Sequence, residues 1–308
     1  MRGFIRLCVT LILVSLVFYS CGGSGHLLKK VPPTINTVKP RNGYVKQVAA
    51  VLIQTPLTTV GQRAGALYFK TLVKSVSEED SRSRVETPED SGFPKIMKPF
   101  SGGSISDLDV AILTRGARQV GYQGVLVVAV RDIRVDTIRT GFFWFRKKRY
   151  IVQFTVTADL YDPYLRAKVV SGVMESSTKI SIDDYEGFQN GTISAIEKLD
   201  EGMVDAAEEL GEQVGEALSD LMWKAAVTKV DGDRVVLAVG SDVGLKEGER
   251  FVVFQGGRLL DGKQGQQFVA PGYQVGTLQV SDVTDRTAEA KATPAGKVKN
   301  GDIVVPVR

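Results

Sequence analysis

Between Thr192 and Trp223 the apolar residues fall at Ile196, Leu199, Met203, Ala206, Leu210, Val214, Ala217 and Leu221, at spacings of three and four. Glu197, Asp200, Glu201, Asp205, Glu208, Glu209, Glu212 and Glu216 fill the positions between them. One apolar stripe backed by an acidic face predicts an amphipathic helix packed on a neighbouring layer. Gly202, Gly211 and Gly215 each weaken it, and a break at Gly202 fits the pattern. The helix marks a seam. Strands and helices alternate before it, and short strands and turns follow it.

The run Gln47 to Gln54 is short, apolar and strand-like. Thr58 or Thr59 can cap a helix reaching about Ser77, with Ala64, Leu67, Tyr68, Leu72 and Val73 turned inward. Residues 78–104 are rich in Ser, Pro, Gly and Asp, with room for one short strand near Val85. Asp107 to Val120 predicts a second helix, started from Ser104 or Ser106 and ended by Gly121-Tyr122-Gln123-Gly124. Three strands follow, at Val125–Asp136, Ile151–Asp162 and Ala167–Ile180, the last two joined by the turn Asp162-Pro163-Tyr164. In the middle strand Val152, Phe154, Val156, Ala158 and Leu160 share one face, and Gln153, Thr155, Thr157 and Asp159 the other. Hairpin connections make this part antiparallel.

After Trp223, Ala225–Val230 and Arg234–Ala238 flank Asp231-Gly232-Asp233, a hairpin turn. Short apolar runs recur at 251–254, 274–280, 287–292 and 303–307, with glycine-rich turns between, which predicts a small barrel or sandwich. The fold class is therefore α+β: a mixed sheet with an antiparallel three-strand meander and packing helices, then a small all-β barrel-like domain. The chain divides into a signal segment at 1–20, a flexible tether at 21–45, an α/β domain at 46–224 and a β domain at 225–308.

The N-terminus supplies an address. Arg2 and Arg6 precede an apolar core from Leu7 to Val17, an export pattern. Phe18-Tyr19-Ser20-Cys21-Gly22-Gly23 then resembles the bacterial lipobox, in which the cysteine becomes the lipid-bearing first residue of the mature chain. The resemblance makes Cys21 an acylation site, and Gly22 in place of Asp favours the outer membrane. An ordinary secretory peptide is the alternative. Gly-Ser residues and then Pro32, Pro33 and Pro40 form an extended tether, in which His26 is an isolated residue.

Loss of residues 1–20 removes Arg2 and Arg6 and leaves 37 Lys and Arg against 35 Asp and Glu, a balance that gives no case for nucleic acid. One histidine and two cysteines in 308 residues exclude a histidine triad, a multi-histidine zinc site and a disulfide framework in the mature chain. Gly116, Gly121 and Gly124 follow a helix rather than open one, so they are not a phosphate cradle. Asp183-Asp184 and Glu208-Glu209 read as solvated helix ends or faces. No catalytic, cofactor-binding or metal-binding residue is expected, and the chain is read as a non-enzyme.

One segment stands apart. Phe142, Phe143, Trp144 and Phe145, followed by Arg146, Lys147, Lys148 and Arg149, join two strands of the meander. Four aromatics and four cations at a hairpin tip form either a cover over the sheet or a contact site for a membrane surface or a protein.

Export with a lipobox, the strand–helix order of residues 46–223 and Gly121-Tyr122-Gln123-Gly124-Val125-Leu126-Val127-Val128 entering a meander are similar to a periplasmic superfamily. It includes the curli secretion lipoprotein, the TolB N-terminal domain and the lipoprotein activators of penicillin-binding proteins. Residues 225–308, with Gly240-Ser241-Asp242-Val243-Gly244-Leu245-Lys246-Glu247-Gly248 and Lys299-Asn300-Gly301-Asp302, resemble the C-terminal β domain of flagellar assembly protein T. These resemblances imply a lipid-anchored docking or assembly protein on the periplasmic face of the outer membrane. Its partners would be the membrane, through Cys21, and other envelope proteins, with a homo-oligomer compatible. A curli-type secretion component and an envelope hydrolase are the alternatives.

Overall fold

The computed structural model describes residues 43–54, 58–98, 109–142, 144, 146–262, 267–270 and 272–307. The signal segment, Cys21, His26 and most of the tether lie outside them, as do Ser104 and Ser106.

Buried apolar stripes explain the first layer. Strand β1 (Lys46–Gln54) runs parallel to β2 (Ser83–Glu86) on one side and to β3 (Gly124–Thr140) on the other. Strands β4 (Lys147–Asp162) and β5 (Ala167–Ile180) continue the sheet antiparallel, in the order β2-β1-β3-β4-β5. On one face Val152, Phe154, Val156, Ala158 and Leu160 of β4 meet helices α1 (Thr59–Glu79) and α4 (Glu197–Asp220). On the other, Ala49, Val51, Ile53, Val125 and Val127 are covered by Leu113 and Ala117 of α2 (Val110–Gln119), with Phe93 and Met97. The N-termini of α1 and α2 have local causes. Thr58 accepts from the Gly61 amide at 3.3 Å, and Asp109, rather than a serine, accepts from the Ile112 amide at 3.0 Å.

Three departures from the sequence pattern have physical reasons. The seam helix spans 24 residues without a break at Gly202, because the glycines lie where neighbours press closest. A Cβ at Gly202 would crowd the Phe154 ring, one at Gly211 would strike Ser75 of α1, and one at Gly215 would strike Glu79. Close helix crossing offsets the lower helix propensity of glycine. A further helix, α3 (Ile182–Asn190), follows β5 directly. It carries no apolar stripe long enough to read, but Ser181 and Asp184 form a capping box that accounts for Asp183-Asp184. Finally, Gly116 sits inside α2 rather than after it.

The second part is a closed six-stranded barrel, not a sandwich. Its strands are β6 (Ala225–Asp231), β7 (Arg234–Leu237), β8 (Arg250–Phe254), β11 (Gln274–Val283), β12 (Ala288–Thr293) and β13 (Ile303–Pro306). They close in the order β11-β12-β7-β6-β13-β8. Val235, Leu237, Phe251, Val253, Leu278 and Val280 alternate inward, and the small Ala288, Ala290 and Ala292 keep the bore narrow. A separate hairpin, β9 (Arg258–Asp261) with β10 (Gln267–Ala270), leaves the barrel, and the Val269 amide donates to the Leu165 carbonyl at 2.9 Å.

The barrel core borrows from outside its strands. Trp223 is 1% exposed within it, with Tyr44 at 4.6 Å and Phe251 at 5.9 Å between ring centroids. Tyr44 and Val45, at the end of the expected tether, thus belong to the folded body, and the Val45 amide donates to the Val243 carbonyl at 2.9 Å.

Candidate functional site

The meander strands are far longer than their neighbours. Strand β1 leaves β3 at Val130, where a bulge between Val130 and Asp132 bends it, and β5 leaves β4 at Tyr150. Beyond that point only the β3–β4 pair continues, as Ile138 opposite Arg149, Arg139 opposite Lys148 and Thr140 opposite Lys147. The result is a two-stranded arm that projects past the sheet.

Charge is segregated along this arm. At its base Arg134 lies 3.7 Å from Asp132 and 3.5 Å from Asp136, and donates to the Gln153 side chain at 3.1 Å. From Thr137 to Ala158 there is no carboxylate, while Arg139, Arg146, Lys147, Lys148 and Arg149 are all exposed. Directly opposed residues share a face of an antiparallel pair. Arg139 and Lys148 therefore lie on the helix side and Arg149 on the other, so the tip is cationic all round. Lys148 stands 5.1 Å over the Tyr150 ring, and Tyr150 packs on Tyr185 of α3 at 4.7 Å, which braces the arm where it leaves the sheet.

Of the aromatics at the tip, Phe142 is 77% exposed and Trp144 88% exposed. They are presented, not laid over the sheet. Phe143 and Phe145 lie outside the described residues. Arg139, on the opposite strand, joins the site. The sequence reading missed it because it lies in the preceding strand, and only the register places it beside Lys148.

Other candidate positions resolve into structure. Gly121, with φ of +86°, makes the turn that ends α2, and any Cβ there would collide with the Ala238 carbonyl of the barrel. Glu208 and Glu209 lie on the outer face of α4. A shallow groove of about 490 Å³ between α1 and α4 is lined by Arg63, Glu197, Asp200, Glu201 and Asp205, with Arg63 and Asp200 paired at 3.0 Å. Among the described residues no three His, Cys, Asp or Glu side chains converge as metal ligands. No helix among them is long and apolar enough to cross a membrane.

The barrel and the sheet meet through buried polar contacts that the sequence reading did not single out. Lys224 bridges Asp162 at 2.5 Å, and the Asp162 carboxylate also accepts the Tyr164 amide at 2.7 Å. Arg118 donates to the Gly301 carbonyl, and Gln47 donates to Asp242 at 2.7 Å. Lys46 caps α4, donating to the Leu218 and Ser219 carbonyls, with Asp80 at 3.8 Å. Burial pushes its ammonium down from 10.5 to about 8, against the pull of Asp80.

No family model matches the chain, and no curated protein matches it. Among solved structures it is similar to PelC from Paraburkholderia phytofirmans, described as a dodecamer. That match has 16% identity and a TM-score of 0.30, and covers 57% of this chain and 89% of that one. The minor lipoprotein from Acinetobacter baumannii is 10% identical over 56% of this chain and 93% of its own, with a TM-score of 0.29. Protein XCC0632 from Xanthomonas campestris is 10% identical over 61% and 92%, with a TM-score of 0.33. Likenesses of this strength do not bear on what the chain does.

Proposed function

We propose that this chain is a bacterial envelope lipoprotein, held to the periplasmic face of the outer membrane by acyl groups on Cys21, that docks another envelope protein through its β3–β4 arm. The single observation that carries the docking role is the arm tip, where Trp144 and Phe142 stand exposed among five cations, in a stretch from Thr137 to Ala158 that holds no carboxylate. Exposed aromatics flanked by Arg are the usual anchors of protein contacts. The address rests on the export segment, on Ser20-Cys21-Gly22 and on the tether that follows. The resemblance of residues 46–223 and 225–308 to periplasmic lipoproteins and to flagellar assembly protein T supports an assembly role, as a flagellar-ring-like or envelope-machine scaffold.

A curli-type pore has the support of strand length, since β3 and β4, at 17 and 16 residues, exceed the roughly 9–11 needed to cross a bilayer. Cations on both faces of the tip argue against it, because a spanning hairpin needs one apolar face for lipid.

Two experiments test the proposal. Metabolic labelling with a clickable palmitate is expected to mark the protein, and Cys21→Ala to abolish the mark; label that persists defeats the anchor. A photo-reactive phenylalanine analogue at position 144 is expected to give one discrete protein adduct in cells, weakened when Arg146, Lys147, Lys148 and Arg149 are reversed to Glu. An adduct to lipid alone, or none, defeats the docking reading.

A further inference from the structure

Strand β5 ends the five-stranded sheet, and among the described residues its outer edge pairs with nothing. The opposite edge is guarded by brevity, since β2 has four residues, but β5 has fourteen. A long open edge is a template for another strand unless Pro, a bulge or charges blunt it. Here the one register shift lies near the start of β5, between Lys168 and Val170, and from Val170 to Ile180 the strand is regular and free of Pro.

Glu175 and Lys179 lie on the solvent face of this edge, opposite Thr155 and Ile151 of β4. Neither makes an ion pair among the described residues. Four residues apart, about 13 Å along a strand, they are too distant to pair with each other.

We propose that β5 pairs antiparallel with β5 of a second copy of this chain, about a twofold axis through Ser177. In that register Glu175 of each copy meets Lys179 of the other, Met174 meets Ile180, Ser176 meets Thr178 and Ser177 meets itself. The faces agree as well as the charges. Met174 and Ile180 are half-buried at the rim of the helix-side core, and the pairing covers one with the other. Competing registers are worse. Full overlap of the two strands sets Lys168 against Lys179. Setting Lys168 against Glu175 takes it from Asp159, where its ammonium is bound at 2.7 Å. Such a pair makes one continuous ten-stranded sheet, and it depends on neither the lipid anchor nor the arm.

The twofold gives a direct test in the full chain, in cells. Opposed residues of an antiparallel pair have Cα atoms about 4.5–5.5 Å apart, within reach of a disulfide. Ser177→Cys is expected to give a reducible species of doubled mass on oxidation. Val173→Cys is also exposed, but its two copies would lie eight residues apart, about 27 Å, and it is expected to stay single. In the Ser177→Cys background, Glu175→Lys and Lys179→Glu are each expected to cut the doubled species severalfold, and the two together to restore it. All four positions are exposed, so the variants keep the fold. A doubled species that is absent, equal in the two cysteine variants, unmoved by either charge reversal or not restored by the pair overturns the proposal.

Discussion

Trp144 and Trp223 are the two tryptophans of the chain, and their surroundings are opposite. Trp144 is 88% exposed at the arm tip, so Trp144→Ala is expected to move the stability by no more than about 0.5 kcal/mol. A urea titration that finds a loss of several kcal/mol would mean the arm folds back onto the core. Lys46 offers a second residue-level test. Its folded-state value, about 8, lies below the ordinary 10.5, so the unfolded chain holds the proton more tightly between those values. Below pH 8 both states are charged and the cost of burying the ammonium is present in full. As pH rises from 8 towards 10 that cost is relieved, and this group makes the protein more stable. Relative to a Lys46→Met variant, the wild type is expected to gain on the order of 2 kcal/mol between pH 7 and pH 9.5. Equal urea midpoint shifts in the two proteins would show that Lys46 does not titrate there.

At the scale of elements, α4 is held by shape more than by helix propensity. Gly211 and Gly215 let α1 approach until Ser75 and Glu79 occupy the space of a side chain. Gly211→Leu is therefore expected to wedge the two helices apart and to cost about 1–3 kcal/mol, although leucine is the better helix former. An unchanged or raised melting temperature would mean that the crossing relaxes freely. Glycine in an amphipathic stripe reads as a weak point when propensity alone is considered. The identity of the neighbour, Ser75, more than a hundred residues earlier in the chain, is not written in that stripe.

For the whole molecule, the decisive feature is that the barrel is completed from outside its own strands. Trp223 precedes β6 and Tyr44 precedes β1, yet both pack on Phe251 inside the barrel. Tyr44 also donates to Glu249 at 2.8 Å, and burial raises its phenol well above the ordinary range. A fragment of residues 225–308 therefore lacks two of the largest side chains of its core. It is expected to melt well below a fragment of residues 222–308, the difference corresponding to about 3–5 kcal/mol for a lost tryptophan. Matching melting curves would place Trp223 outside the energetics of the barrel.

Local pattern determined a good part of this protein unaided. The alternation in β4 named its core face residue by residue, and the three-and-four spacing of α4 named most of its buried stripe though not Ala207 and Leu218, because both depend only on backbone periodicity. The aromatic and cationic composition of residues 142–149 marked the arm, because a hairpin tip needs no distant partner to be recognised. What the sequence left open depended on contacts between remote residues. Exposure of Phe142 and Trp144, rather than burial, followed from β3 and β4 outrunning β1 and β5. Arg139 joined the tip through register. Tyr44 left the tether for the barrel because an aromatic gains more from a buried core than from water. Closure of the barrel, with β6 meeting β13, is a pairing across the whole domain that no short window of residues encodes.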